Sequence, residues 1–274
     1  VDGPDEDTED FLSSVVDPRL RVITLDQSAG GCAARNIGVV AASTDWIAFL
    51  DDDDEWMPDK LSTQLELAAQ STAQYPIISC RVAATTPQGK TFLWPRRAKY
   101  PNEHLSNYLL ARKTWTQGEG LVTTSMLMAP RELFLRMPFT AGLARHQEWD
   151  WLLRATASAE VELLIAWDVL ATWNIEGERI SISQGNDWRN SFKWIISMKE
   201  RVTPRAYASF LMVLVSAIAA REGDSSALWT ILEEARRSGR PGTIDYGLMA
   251  AMWLLPQKTR RRLRNLFVPQ VRSA

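Results

Sequence analysis

The chain has 274 residues, 46% of them hydrophobic and 23% charged, an ordinary globular balance with length enough for one large domain or a domain with an appendage. A net charge of −2 excludes a broadly basic surface, so no nucleic acid is expected among its partners. Two cysteines, Cys32 and Cys80, and two histidines, His104 and His146, exclude a disulfide framework and a zinc site, which fits a reducing, cytoplasmic setting.

No signal peptide is visible, and the longest apolar stretch, Ala208 to Ala220, is shorter than the roughly 18–20 residues of a spanning helix. The chain opens on Val1-Asp2-Gly3-Pro4, which reads as the end of a strand entering a turn, as though sequence preceded it. Asp7-Thr8 suits a helix cap, with Phe11, Leu12, Val15 and Val16 on one face and Asp17-Pro18 as the stop. Arg21 to Leu25 alternates weakly and predicts a strand. Gly30-Gly31 then opens a small-residue helix through Ala34, Ile37 and Ala41. A glycine turn before a helix, with Arg35 in the first turns, suits a phosphate.

Trp46 to Leu50 is an apolar run of strand length. Asp51-Asp52-Asp53-Asp54-Glu55 follows at once, then Pro58, with Leu61, Leu65 and Ala68 at helical spacing. The acids thus occupy the loop where a strand hands over to a helix, the place where open α/β sheets bind ligands. Adjacent carboxylates repel, and partial burial adds a desolvation cost, so the cluster asks for a cation. Oxygen ligands suit Mg²⁺ or Mn²⁺, with Mg²⁺ commonly shared with a substrate phosphate. A solvated acidic loop is the plainer reading of such a run. The apolar strand behind it and the bracket of Trp46 and Trp56 favour a site.

Ile77 to Thr85 and Thr91 to Trp94 flank Pro87-Gln88-Gly89 as a hairpin. The irregular stretch 95–116 reads as a substrate-facing excursion. Leu121 to Met128 predicts a strand, Arg131 to Met137 a short helix, and Arg145 to Arg154 the start of another. Glu162 to Trp167 and Val169 to Trp173 look extended, and Glu176 to Gly185 a loop. From Trp188 the pattern is helical: Phe192 to Val202, Pro204 to Arg221, Ser225 to Ser238 and Ile244 to Leu255. Strand–helix alternation followed by helices alone predicts an α/β domain over 1–187 and a helical region over 188–274. Arg260-Arg-Arg-Leu-Arg264, beside the apolar run 247–255, suits a solvated helix end or peripheral docking at the anionic inner face of a membrane.

Taken in order, several of these segments resemble the inverting family 2 glycosyltransferases, over about Val1 to Ser183. Val1-Asp2-Gly3-Pro4-Asp5 resembles the end of the family's second strand, Gly30 to Gly38 its Gly-x-x-x-Ala-Arg-Asn-x-Gly segment, and Phe49 to Pro58 its DxD loop. Gln147-Glu148-Trp149-Asp150 occupies the family's "ED" position, and Thr124-Ser125 with Arg131-Glu132 match its approach to the acceptor pocket. The resemblance implies a GT-A fold, a mixed nucleotide-sugar-binding sheet flanked by helices. It implies an NDP-sugar donor, most simply a UDP-sugar, and a saccharide or glycolipid acceptor in cell-surface polysaccharide or glycoconjugate synthesis. It places the nucleobase contact at Asp2 and the nucleotide contact at Arg35. Asp51 falls by the ribose with Asp52 beside it, and Asp53 falls on metal and diphosphate. It puts the catalytic base at Glu148 or Asp150. The family's first strand and helix are missing before Val1, Ser28 stands where an Asn often precedes the glycine turn, Gln147-Glu148 replaces Glu-Asp, and Glu176 stands where some relatives carry His.

Helix geometry bears on the base. At 100° per residue, Trp149, Leu152 and Leu153 define a buried face, with Glu148 and Asp150 on its two flanks. Asp150 lies four residues before Arg154 and reads as one half of a surface ion pair, which makes Glu148 the better candidate. Two other readings stand beside this one. A nucleotidyltransferase would need a Gly-rich, Arg/Lys-bearing N-terminal loop that this sequence does not show. A catalytically inactive glycosyltransferase-like binding or scaffold module would fit the missing first strand.

Overall fold

The computed structural model describes residues 1–85, 89, 91–115, 118–174, 187–255 and 259. A six-stranded mixed sheet forms its centre. Its strands are β1 (Trp46–Ala48), β2 (Asp54–Trp56), β3 (Tyr75–Thr85), β4 (Thr91–Trp94), β5 (Met128–Pro130) and β6 (Val161–Asn174). They run in the order β1-β5-β3-β6-β2, with β4 paired to β3 beside that path. β3 and β6 are parallel, and the other pairs are antiparallel. Every residue from Tyr75 to Cys80 is buried, as a central strand covered on both faces requires.

Helices α1 (Glu6–Ser14), α2 (Gly31–Ala41), α3 (Lys60–Ala68), α4 (Leu105–Leu110), α5 (Arg131–Arg136) and α6 (Gln147–Ala155) accompany the sheet. Five more follow: α7 (Trp188–Ser197), α8 (Pro204–Ser209), α9 (Ser216–Glu222), α10 (Ser226–Ser238) and α11 (Thr243–Leu254). A π-helical segment, Phe210–Val215, joins α8 to α9. The apolar stretch 208–220 is therefore core, with Phe210, Leu211, Met212 and Val215 almost wholly buried. Among the described residues no helix is long and apolar enough to cross a membrane. One hydrophobic cluster runs from Cys32 on α2 through Trp151 and Leu152 on α6 to Met249 on α11. Hydrogen bonds tie the helices to the 95–116 excursion: Arg112 N donates to Ser209 Oγ at 2.8 Å, and Thr203 N to Ser106 Oγ at 3.0 Å.

Four expectations are corrected. Arg21 to Leu25 forms no strand; Val22 and Ile23 stay exposed, and the segment is held by Val1, whose N donates to Ile23 O at 2.6 Å, and by Arg21 Nη1, which donates to Ala41 O at 3.0 Å. Leu121 to Met128 is not a strand either, because Thr124–Met126 closes into a 3₁₀ turn before β5 begins. The acid run does not pass directly into a helix: Asp54–Trp56 first pairs with Trp173–Ala171 of β6.

The fourth concerns α3. Leu61 and Leu65 face outward at 44% and 43% exposure, and the buried stripe is Lys60, Gln64 and Ala68. Lys60 Nζ donates to Gln64 Oε1 at 2.6 Å and lies 4.2 Å from the Trp56 ring centre. Gln64 Nε2 donates onward to Met126 O at 2.9 Å. A buried polar pair that satisfies itself and a backbone carbonyl thus replaces the apolar face that spacing alone predicts. Burial pushes the Lys60 pKa down to about 8, while the ring and the amide oxygen favour its charged form.

Candidate active site

The site begins at the turn into α2. Gly30 adopts φ +82°, a left-handed conformation that a glycine takes without strain. The carboxylate of Asp2 organises that turn, accepting from Ala29 N at 2.7 Å, Gly30 N at 3.0 Å and Ser28 Oγ at 3.1 Å. One turn into α2, Arg35 spans two other elements. Its Nη2 donates to Asp51 Oδ1 at 2.8 Å and its Nη1 to Gln147 Oε1 at 2.5 Å. Gln147 Nε2 in turn donates to Leu143 O at 2.7 Å. Asn36 holds Phe139 by both its N and its O, each at 2.9 Å, and so fixes the loop that leads to α6.

The acid loop is fastened by its backbone. Asp51 N donates to Ser125 Oγ at 3.0 Å, Trp56 Nε1 to Ser125 O at 2.9 Å, and Asn174 Nδ2 to Asp53 O at 3.1 Å. Asp52 is exposed, and Asp51, Asp53 and Asp54 are half-buried. Burial, reinforced by the charges of Asp53 and Asp51, pushes the Asp54 pKa up to about 6 against the opposing Ser125 hydrogen bond. Asp54 Oδ1 is buried without a hydrogen-bond partner. Crowded carboxylates with an orphaned buried oxygen suit a hard divalent cation in donor chemistry. Among the described residues no three acidic, His or Cys side chains converge into a ready-made cage. A cation here would be held by one or two carboxylates, completed by phosphate oxygens and water, the manner usual for Mg²⁺.

Glu148 lies in the first turn of α6, where Thr124 Oγ1 donates a short hydrogen bond to its Oε1. Among the described residues that is its only side-chain hydrogen bond. Asp150 does pair with Arg154, at 2.8 Å, but not on the surface. It is 5% exposed and also accepts from Thr140 Oγ1 at 2.7 Å and Trp194 Nε1 at 3.1 Å. The buried face of α6 is accordingly Asp150, Trp151, Leu152 and Leu153, with Trp149 only half-buried. The expectation of Trp149 at its centre fails because α7 packs where solvent was assumed.

The structure thus brings Arg35, Asp51, Thr124, Ser125 and Glu148 together through shared contacts, and keeps Asp2 at the neighbouring turn. It takes Arg131 and Glu132 elsewhere. Arg131 caps α2 through Val39 O and Val40 O, each at 2.9 Å, and Glu132 pairs with Arg136. Glu176 and the cluster 260–264 lie outside the described residues. In the sequence Gln147 stands out only as a departure from the base motif, and nothing there announces its bond to Arg35. Nothing in the sequence marked Trp194.

Residues 1–136 match the family model described as Glycosyl transferase family 2. Over 190 residues the chain is 27% identical to the amylovoran biosynthesis glycosyltransferase AmsB of Erwinia amylovora, covering 68% of this chain and 61% of that one. Over 64 residues it is 36% identical to the Escherichia coli UDP-Glc:alpha-D-GlcNAc-diphosphoundecaprenol beta-1,3-glucosyltransferase WfaP, covering 23% of this chain and 26% of that one. Both figures fall below two thirds of the relative's own length. The crystal structure of S. aureus TarS 1-349 in complex with UDP-GlcNAc superposes with a TM-score of 0.51 at 13% identity, over 86% of this chain and 80% of that one. At that identity the likeness speaks for the GT-A fold alone. Fold and sequence agree: residues 1–136 belong to glycosyl transferase family 2.

Proposed function

We propose that this chain transfers a sugar from a nucleoside-diphosphate donor, a UDP-sugar, to a hydroxyl of a saccharide or glycolipid acceptor, with inversion, in the synthesis of a cell-surface polysaccharide. Residues 1–187 form the catalytic domain in this reading, and 188–274 its helical partner. The observation that carries it is Arg35, which joins Asp51 of the acid loop at 2.8 Å to Gln147, the residue before Glu148, at 2.5 Å. One guanidinium therefore links the two halves of a transfer site, donor and acceptor. A diphosphate would compete with both of its present partners for this group, the chemistry in which a planar guanidinium excels.

The roles follow from chemistry. Arg35 and Asp51, with Asp52 at the exposed edge and Asp2 at the turn, receive the nucleotide. Asp53 would hold Mg²⁺ or Mn²⁺, which when bound would neutralise charge on the departing diphosphate. Glu148 Oε2 takes the proton from the acceptor hydroxyl. The acceptor oxygen then forms its bond to the anomeric carbon as the carbon–oxygen bond to the diphosphate breaks on the opposite face. The named activities of the relatives, amylovoran biosynthesis and glucosyl transfer from UDP-Glc, support the reaction class and the donor.

Two measurements test the reading: calorimetry of UDP with and without Mn²⁺, and UDP release from UDP-glucose and UDP-GlcNAc. Mn²⁺-dependent UDP binding with slow UDP release supports it. UDP binding without any release, even with acceptor extracts, favours the inactive binding module. No UDP binding under either condition overturns both.

A further inference from the structure

The helices after residue 187 carry no motif, yet one of them grips the site from behind. His146, the residue before α6, has φ +62°, and it is the one non-glycine residue at positive φ among the described residues. Left-handed backbone is unfavourable for an L side chain and persists where the surroundings over-determine it. Those surroundings come largely from the C-terminal helices. The imidazole lies 4.6 Å from the Trp194 ring and 5.1 Å from Phe210, and its Nε2 meets Ser191 Oγ at 2.9 Å. Trp149 stacks on it from α6 itself at 5.5 Å. Burial pushes the His146 pKa down to about 3, so the ring is a neutral hydrogen-bonding wedge. A glycine or asparagine would relieve the backbone and lose all of these contacts.

The same helix holds the next turn. Trp194 Nε1 donates to Asp150 Oδ1 at 3.1 Å, and Asp150 N donates to His146 O at 2.7 Å, closing the first turn of α6. Residues 146 and 150 stand one turn apart with Glu148 midway between them. We propose that Ser191 and Trp194 of α7 are positioning residues for Glu148: by holding both ends of the first turn of α6 they fix the direction of its carboxylate toward the acceptor. The inference rests on the reading of Glu148 as the base. Thr124 steadies the same carboxylate from the sheet side, so the base is held between the catalytic domain and the helical region.

A structural role alone would lower the melting temperature and leave turnover per folded molecule unchanged. Trp194→Phe keeps an aromatic ring, smaller than the indole, and removes the donor to Asp150; Ser191→Ala removes the hydroxyl and Ser191→Thr restores it. The full chain carrying each change is assayed well below its melting temperature for UDP release from UDP-glucose and UDP-GlcNAc, for UDP–Mn²⁺ binding, and for hydrogen exchange of the amides of 147–150. Trp194→Phe is expected to lower kcat by about 10- to 100-fold, the scale of a displaced reacting group, with KM and UDP affinity unchanged. It is also expected to speed exchange in the first turn of α6 while leaving α3 as before. Ser191→Ala follows in the same direction, and Ser191→Thr returns toward the parent. Parental exchange at 147–150 in Trp194→Phe overturns the inference even where turnover is too slow to measure. Parental kcat in Trp194→Phe, beside an inactive Glu148→Gln control, overturns it alone. An active Glu148→Gln overturns the base assignment and the inference with it.

Discussion

Asp54, in the acid loop, keeps a buried oxygen without a partner and a pKa raised to about 6, whereas Asp150, buried on α6, accepts from Arg154, Thr140 and Trp194. The two regions border the same site and manage negative charge in opposite ways. The loop crowds its carboxylates, fastens its backbone to Ser125 and Asn174, and leaves Asp54 Oδ1 buried without a hydrogen-bond partner. The α6 turn completes one carboxylate wholly from within, and leaves its neighbour Glu148 with a single short contact.

The largest expected effect separates the two acids of α6. Glu148→Gln should lower transfer about 10²–10⁴-fold, the usual yield of a general base, with UDP and Mn²⁺ binding intact. Asp150→Asn should instead unfold more easily, by roughly 3 kcal/mol, because one partner of a buried ion pair is removed. Its turnover per folded molecule should stay within a small factor of the parent. Single-turnover transfer and urea melts on both variants decide the matter, and the reverse pattern moves the base to Asp150. The stability figure is far above the few tenths of a kcal/mol of an exposed i,i+4 pair, because Asp150 is 5% exposed.

Next in size is the loop itself. Arg35→Ala should weaken UDP binding by about 10- to 100-fold, the value of a lost charge-assisted pair of hydrogen bonds. Asp53→Asn should remove the Mn²⁺-dependent part of UDP affinity and leave the metal-free part. Calorimetry with UDP, with and without Mn²⁺, reads both, and equal Mn²⁺ dependence in Asp53→Asn and parent excludes Asp53 as the metal ligand.

These predictions use residues that were legible in the sequence to different degrees. The acid loop and the Gly30–Arg35–Asn36 segment are local: a strand, a glycine turn and their charged residues lie within a few positions of one another. Such signals survive without knowledge of the fold. The α6 turn is not local. Glu148 is recognisable by its place in the chain, but Asp150 was assigned to the surface because its burial depends on Trp194, 44 residues away. The order of strand and helix gave an α/β domain with following helices, and the family resemblance implied the mixed sheet. It missed the 3₁₀ turn at Thr124–Met126, where Ser125 must turn back to reach both Asp51 and Trp56.

A smaller effect tests the polar seam of α3. Lys60 is wholly buried, and its pKa is lowered from 10.5 to about 8. Below about pH 8 both folded and unfolded states carry the proton, so the folded state bears the full cost of a buried ammonium. Between about pH 8 and 10.5 the unfolded state binds more protons, and stability rises with pH. Measured against Lys60→Met, the parent should therefore gain stability across that window, by on the order of 3 kcal/mol at most. Urea melts of both proteins at pH 7 and pH 10 give the difference. A gap that is the same at both pH values means that Lys60 titrates as it would in water.

The smallest effect is the sharpest test of periodicity against structure on that helix. Apolar spacing makes Leu61 and Leu65 the buried residues of α3, but the structure exposes them at 44% and 43% and buries Gln64 completely. Leu65→Gln should then change stability by no more than about 0.5 kcal/mol, as surface substitutions do. Gln64→Leu, the exchange that apolar patterning would favour, should destabilise by about 1–3 kcal/mol. It strands Lys60 Nζ and Met126 O, which Gln64 serves at 2.6 Å and 2.9 Å, where no water reaches. Thermal melts of the two variants rank them. If Leu65→Gln proves the more damaging, α3 is rotated by about one residue, 100°, from the orientation described. Lys60 would then leave the Trp56 ring, and the helix that follows the acid loop would present an apolar face to the sheet.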